Sequence, residues 1–395
     1  MTDTTADTAR PPRFPELVPL TRPTVEADAG LASAIEGILR SGMLTNGRHV
    51  REFEEAASDY LGVDHAVAVS NCTTGLMLVL RCLGLTGDVV VPSFTFMASG
   101  HAIDWAGNGV RFAESHARTW TLDPDAVAPL IARAAGVMAV HTFGAPCDAD
   151  RLQELCDTRG IPLVLDAAHG FGSRYPDGVM VGGKGVAEVF SLSPTKTLST
   201  GEGGLITTND AALAAKLRTA REYGNPGDYD SRFVGLNGRM TEVSGALGGH
   251  ALKGFARWIH LRRSLAERYR TRLGGLPGLE FQEVPAGAVS SYKDLGVRVD
   301  GARFGMTRDE LAERLARENV STRKYFSPAL HQQRAYRDVP VDADLSVTEH
   351  LAASMITLPL YSHMPARLVD EICDLIGELH AARRSIQRGS GGRAS

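Results

Sequence analysis

Ile161-Pro-Leu-Val-Leu-Asp-Ala-Ala-His169, followed by Ser191-Leu-Ser-Pro-Thr-Lys-Thr-Leu-Ser-Thr-Gly-Glu-Gly-Gly204, decides how this chain folds. The first segment is a short apolar run ending on an acid. The second leaves an apolar run, Glu188–Ser193, and turns through hydroxyl and glycine residues into another, Gly204–Thr207. Runs of four to six apolar residues, often β-branched, read as strands buried on both faces. Working outward, Ala66–Ser70, Val89–Pro92 and Val137–Val140 have the same character. Amphipathic stretches at Thr74–Leu85, Asp148–Arg159 and Asp210–Arg221 separate them. This alternation predicts an α/β fold with a mostly parallel central sheet flanked by helices.

The rhythm stops near Glu242, where a helical pattern runs from Thr241 to Leu273. Strand-like Gly296–Val299, helix-like Arg308–Glu318 and a last helix over Pro365–Arg384 then predict a smaller C-terminal α+β domain. The expected division is a disordered N-terminus at 1–15 and a large domain at 16–250. A small domain with its linking helix follows at 251–386, then a disordered tail at 387–395.

The 395 residues are 43% hydrophobic and 22% charged, with a net charge of -4, ample for a two-domain core. That balance gives no reason to expect nucleic-acid binding. The five cysteines are scattered without a C-x-x-C pair, which favours a reducing, cytoplasmic setting and neither zinc nor a disulfide framework. The first residues lack the apolar stretch of a signal peptide, and no run approaches the ~20 apolar residues that span a bilayer. A soluble protein is expected.

Chemistry concentrates where strands end, the place where parallel sheets bind ligands. A loop lysine is by default a solvated charge. Lys196, however, follows a strand, is crowded by small hydroxyl residues and precedes a glycine-rich turn. A desolvated lysine loses its proton more readily and can form an imine with an aldehyde cofactor. Asp166 closes an apolar strand; it reads either as a helix N-cap or as a carboxylate with a buried cationic partner. Ser70-Asn-Cys-Thr-Thr-Gly-Leu76 joins a strand to a helix, where backbone N–H groups favour an anion. His141 closes another strand and reads as a hydrogen-bonded structural residue. No metal-ligand spacing is present.

Taken in order, these segments resemble the DegT-type sugar aminotransferases, a family of fold-type I pyridoxal-phosphate (PLP) enzymes. The resemblance includes Gly47-x-x-Val-x-x-Phe-Glu54, Ser70–Leu76, Pro92-Ser-Phe-Thr-Phe96, His141-x-x-Gly144, Asp166–Ala168 and Ser191–Lys196. It continues through Gly201–Gly204, Gly235-Leu-Asn-Gly-Arg-Met240 and Leu358-Pro-Leu360. It implies that Lys196 bonds the cofactor and shuttles protons, and that Asp166 holds the pyridine nitrogen. Thr73 and Ser191, with backbone amides near Cys72, would hold the phosphate; Phe96 would stack on the ring and His169 lie near its hydroxyl. Asn237 matches a residue supplied by a partner subunit, which implies a homodimer with shared sites.

Cys72 stands where glycine is common, Leu165 where glutamate is, and Ser193 where histidine is frequent. Lys196 argues against the dehydratase branch, which carries histidine there. The implied reaction moves an amino group, with glutamate the family's usual donor, to a nucleotide-linked keto-sugar. Asp166–His169 and Thr322-Arg-Lys-Tyr-Phe-Ser-Pro328 resemble branches that aminate C4 of dTDP-linked 4-keto-6-deoxysugars, with Tyr325 and His331 as substrate neighbours. The alternatives are a C3 keto-sugar or scyllo-inosose, or, in another class, an idle PLP-binding sensor or partner subunit. Gly178–Gly185 nearly spells a P-loop. It ends on glycine where a magnesium-binding hydroxyl belongs and follows a turn instead of a strand, so nucleotide hydrolysis is disfavoured.

Overall fold

The structure, a computed structural model, describes residues 10–391. Seven strands make the central sheet: β1 His65–Val69, β2 Asp88–Pro92, β3 Gly109–Ala113, β4 Ala134–Val140, β5 Leu163–Asp166, β6 Ala187–Ser191 and β7 Gly204–Thr208. Their order is β1-β7-β6-β5-β4-β2-β3. Only β7 runs against its neighbours; β2 through β6 pair in parallel. The reversal has a simple origin. Each parallel pairing needs a long crossover, whereas β6 and β7 are joined by the irregular 192–203 link, so the chain folds straight back.

Successive side chains on each strand face opposite sides of the sheet. Ala68, Leu165, Phe190 and Leu205 enter one core, with helices Arg48–Leu61 and Ala149–Asp157. Val69, Val164, Val189 and Ile206 enter another, with helices Cys72–Leu83 and Ala211–Ala220. Helix Cys72–Leu83 lies close on the sheet because Gly75 lets it: a Cβ there would fall 2.7 Å from Val189.

Helix Glu242–Leu273 is 32 residues long and belongs to both halves of the molecule. Phe255 and Ile259 pack into the large-sheet core, and Leu265, Ala266, Tyr269 and Leu273 pack into a separate one. At its start the buried Glu242 carboxylate accepts the N–H groups of Gly47, His49 and Val50, capping the positive end of helix Arg48–Leu61. The second core covers a three-stranded antiparallel sheet, β10 Met355–Leu358, β9 Leu295–Val299 and β8 Leu279–Phe281. Helices Arg308–Arg317 and Ala366–Gly391 flank it.

Two expectations about the ends are corrected. Residues 10–15 are held: Phe14 is buried in the second core, and Arg10 and Arg13 pair with Glu318 and Glu378. Val18 joins the same core, so this segment packs on the small sheet and not on the large one. Residues 387–391 continue the last helix, since extending a docked helix needs no new nucleus. Residues 1–9 and 392–395 lie outside the described residues. No helix among the described residues is long and apolar enough to cross a membrane.

Candidate active site

Asp166 ends β5 and is 4% exposed. One carboxylate oxygen accepts the Ala168 N–H at 3.0 Å and the other accepts the Ser99 hydroxyl at 2.7 Å. Burial pushes its pKa up, against these hydrogen bonds and the charge of Lys196. A buried carboxylate in that condition favours a cationic partner. Cys72 faces it with Sγ 3.9 Å from Oδ1, and the thiol donates to the Val189 carbonyl at 3.5 Å. Burial and the neighbouring carboxylate keep that thiol protonated.

Lys196 lies in the link between β6 and β7. Its backbone N–H bonds the Ser193 carbonyl, Thr197 donates to Phe171 and the Thr200 N–H to Leu192, so the link is pinned on both sides of the lysine. Among the described residues no group accepts a hydrogen bond from its amine. Burial lowers its pKa to about 8, helped by the charge of Lys293 and opposed by Asp294, Cys72 and Asp166. This amine gives up its proton far more readily than an ordinary lysine, and it faces a carboxylate.

His169 follows Asp166 by three residues. Its Nδ1 accepts the Phe143 N–H at 3.2 Å, so in the neutral ring the proton is on Nε2. Burial, with the charges of Lys196 and Lys293, holds its pKa well below the ordinary histidine value. His169 is therefore a neutral donor at Nε2.

A third group assembles where β1, β6 and β7 meet. Thr73 and Cys72 form the first turn of helix Cys72–Leu83, and the Asn71 side chain caps the N–H of Thr74 at 2.8 Å. Ser191 ends β6 directly opposite Gly204, which also pairs with Val69. A Cβ on Gly204 would fall 2.5 Å from the Asn71 carbonyl carbon, so only glycine lets β7 pass under the turn.

The other expected residues divide. Tyr325 is drawn in: its ring lies 5.4 Å from Phe326 and 5.8 Å from the Lys293 ammonium, and Phe326 stacks 6.5 Å from His169. Phe96 is 49% exposed at the start of helix Met97–Trp105, on the wall of a cleft of about 860 Å³ that it shares with Tyr325 and Phe326. Asn237 is exposed, beside Gly238, whose carbonyl accepts the Ser70 N–H. No hydrogen bond joins Asn237 to the other site residues of its own chain. His331, expected beside a substrate, is committed elsewhere. Its Nδ1 bonds the Ser93 hydroxyl at 2.6 Å and its Nε2 bonds Glu349 at 3.2 Å, which makes it a strut between β2 and helix Ser346–Ser354.

Three site residues escaped the sequence reading. Ser99, three residues beyond Phe96, is the donor to Asp166. Lys293 and Asp294 form a buried ion pair with both oxygens at 2.9 Å. Adjacent opposite charges ordinarily read as solvated. The available signal was their position immediately before the apolar strand β9. His141 is a buried structural residue, with Nε2 on Glu188 at 3.0 Å and on the Tyr175 hydroxyl at 3.1 Å.

The set fits pyridoxal phosphate. Lys196 offers a free amine for its aldehyde, Asp166 a buried anion for its ring nitrogen and His169 a donor for its hydroxyl. The glycine-floored turn at Cys72 and Thr73, with the Ser191 hydroxyl, offers donors for its phosphate.

Known proteins are similar to this chain over most of its length. The profile of the DegT/DnrJ/EryC1/StrS aminotransferase family matches residues 26–377. The dTDP-3-amino-3,4,6-trideoxy-alpha-D-glucose transaminase of Streptomyces venezuelae is 33% identical over 375 residues, 94% of this chain and 97% of that protein. The dTDP-4-amino-4,6-dideoxy-D-glucose transaminase of Escherichia coli is 28% identical over 364 residues, 91% of this chain and 98% of that protein. The crystal structure of DesI in the presence of its TDP-sugar product superposes with a TM-score of 0.89 at 37% identity, covering 96% of this chain and 97% of that one.

Proposed function

The chain belongs to the DegT/DnrJ/EryC1/StrS aminotransferase family and is a PLP-dependent transaminase; from that premise we propose that it aminates C4 of a dTDP-linked 4-keto-6-deoxysugar. The amino donor is an amino acid, glutamate in this reading. The observation that carries the reaction type is the Lys196 amine, brought to about 8 and without a hydrogen-bond partner among the described residues, facing the buried Asp166. The bound cofactor supplies an aldehyde and a ring that takes up the electron pair released at the donor's carbon.

The chain's residues do the rest. Lys196 Nζ would take a proton from that carbon and return it two positions away, across the transferred nitrogen; in the second half-reaction it would work in reverse on the keto-sugar. Asp166 holds the ring nitrogen protonated, and His169 Nε2 donates to the ring hydroxyl. The first-turn amides at Cys72 and Thr73, with the Ser191 hydroxyl, orient the phosphate. Phe96 covers the ring and Tyr325 borders the sugar. Asn237 acts from a second copy of the chain, so the working unit is a homodimer. An exposed apolar set near it, with Met43, Leu44, Tyr223 and Val234, supports that arrangement.

C4 rests on the Asp166–His169 and Thr322–Pro328 segments. A C3 keto-sugar is the second reading, favoured by the 33% identity to a transaminase named for a 3-amino sugar. Purified enzyme supplied with glutamate and, separately, dTDP-linked 4-keto sugar, 3-keto sugar and scyllo-inosose decides between them by product analysis. Lys196→Ala is expected to abolish turnover, and a fully active variant would overturn the assignment. A violet absorbance that no amino donor changes would point to a sensor or an idle subunit.

A further inference from the structure

Two buried hydroxyls stand behind the Asp166 carboxylate. Ser99 Oγ lies 2.7 Å from Oδ2, and Thr95 Oγ1 lies 3.0 Å from Ser99 Oγ. The two meet across the first turn of helix Met97–Trp105: Thr95 immediately precedes the Phe96 cap, and Ser99 is the third helical residue. Thr95 is 1% exposed and Ser99 is fully buried, so bulk water can replace neither hydroxyl.

The charge on Asp166 fixes the direction of this chain. An ionised carboxylate only accepts hydrogen bonds, so Ser99 donates to Oδ2. A hydroxyl has one proton to give. The Ser99 oxygen, having spent it, accepts from Thr95. The other carboxylate oxygen is met by the Ala168 N–H at 3.0 Å, and the nearby Cys72 thiol donates instead to the Val189 carbonyl. The charged or titratable groups that also act on Asp166 are Lys196, from the link between β6 and β7, and His141, just beyond β4. Burial raises the carboxyl's pKa, and the Ser99 hydroxyl is the largest influence opposing it. Hydrogen bonds in a dry chain polarise one another, so the Thr95 hydroxyl strengthens the bond that Ser99 makes.

We propose that Thr95 and Ser99 are positioning residues, a hydroxyl relay from Thr95 through Ser99 to Asp166 that sets the direction and basicity of the carboxylate facing the cofactor's ring nitrogen. The inference rests on the reading of Asp166 as the partner of that nitrogen. Donors to the ionised form of an acid make it a weaker base. A proton shared between Asp166 and the nitrogen then stays on the nitrogen, where the ring needs it to act as an electron sink. Without Ser99 the carboxylate, still buried, becomes the better base and draws that proton to itself.

Ser99→Ala is expected to lower kcat by roughly tenfold to a hundredfold, the effect of losing one hydrogen bond to a charged group, with donor KM changed far less. A second readout is spectroscopic. With less positive charge on the ring, the Lys196 nitrogen of the PLP-loaded enzyme keeps its proton to higher pH. The midpoint at which the violet absorbance fades therefore moves up by about one pH unit, a tenfold change. Thr95→Val replaces the outer hydroxyl by a methyl of the same shape and is expected to move both readouts the same way, by roughly threefold. Thr95→Ser, which keeps the hydroxyl, is expected to bring them back. These two variants decide the question by themselves where Ser99→Ala does not fold, and melting temperatures are followed throughout. In an Asp166→Asn background neither change is expected to add anything, because both act through the carboxylate. Equal losses from Thr95→Val in the wild-type and Asp166→Asn backgrounds would reduce the hydroxyls to packing and overturn the relay. Wild-type midpoint and kcat in Thr95→Val and Ser99→Ala, with Asp166→Asn impaired, overturn it as well and leave Asp166 as the ring's partner. An unimpaired Asp166→Asn overturns that reading of Asp166 and the relay with it.

Discussion

Lys293→Met is the most informative single change, because it tests what lowers the pKa of Lys196. Burial is the main cause and the Lys293 charge the second; Asp294 pulls the other way. With a midpoint of about 8, about 9% of the amine is neutral at pH 7, against about 0.03% for an ordinary lysine at 10.5. Removing the Lys293 charge while leaving Asp294 unpaired raises the midpoint. It stays below 10.5 because burial remains. A midpoint of about 9 would leave about 1% neutral at pH 7, a roughly tenfold slower reaction. The assay is the rate at which cofactor-free protein regains violet absorbance on adding PLP, followed from pH 6 to 10. The neutral amine is the reactive form, so the rate rises with pH and levels off above the midpoint. The single variant also strands a buried carboxylate, which costs about 3–5 kcal/mol, so its melting temperature is followed in parallel. The double variant Lys293→Met/Asp294→Leu removes both opposing charges and is expected to titrate closer to 8 than the single one. A single-variant midpoint at or below the wild-type value would refute the electrostatic account.

Three further changes address separate parts of the site and its frame. Asp166→Asn removes the anion proposed to hold the ring nitrogen protonated and is expected to cut kcat by about 10²–10³ with the cofactor still bound; normal turnover would show that Asp166 is only a cap for Ala168. Gly204→Ala drives a methyl against Asn71 and displaces the phosphate turn, so the PLP dissociation constant should rise about tenfold or more in equilibrium dialysis. A change below twofold there would mean the turn yields without cost. Arg221→Met strands the buried Glu54 beside Ala68 and is expected to cost about 3–5 kcal/mol by denaturant titration, with kinetics unchanged in the folded fraction.

The parts of this protein that sequence makes legible are those governed by neighbours along the chain. β5 shows as an apolar run, and β6 as one broken only by the buried Glu188, because helices cover both faces of the sheet. Their ends expose Asp166 and the Lys196 link for the same reason. β3 was not legible: it is an edge strand whose Arg111 turns out to Asp88 and Asp342, breaking the apolar run. The reversed direction of β7 depends on how the 192–203 link closes, which no periodicity records.

The missed and misplaced residues share a different cause. Phe14 is buried in a core built from residues about 250–360 positions later, Leu265 to Ile376, which no local pattern records. His331 has the right motif around it, yet its ring is claimed by Ser93, which is 238 positions earlier. Lys293 and Asp294 show only as a neutral pair in sequence, and become chemically significant because the fold buries them beside Lys196. Burial converts a pair that would contribute almost nothing at the surface into one that opposes and supports the same amine. The tuning of Lys196 is thus a property of tertiary packing. The proposal that it is the reactive lysine starts from its place just beyond a strand.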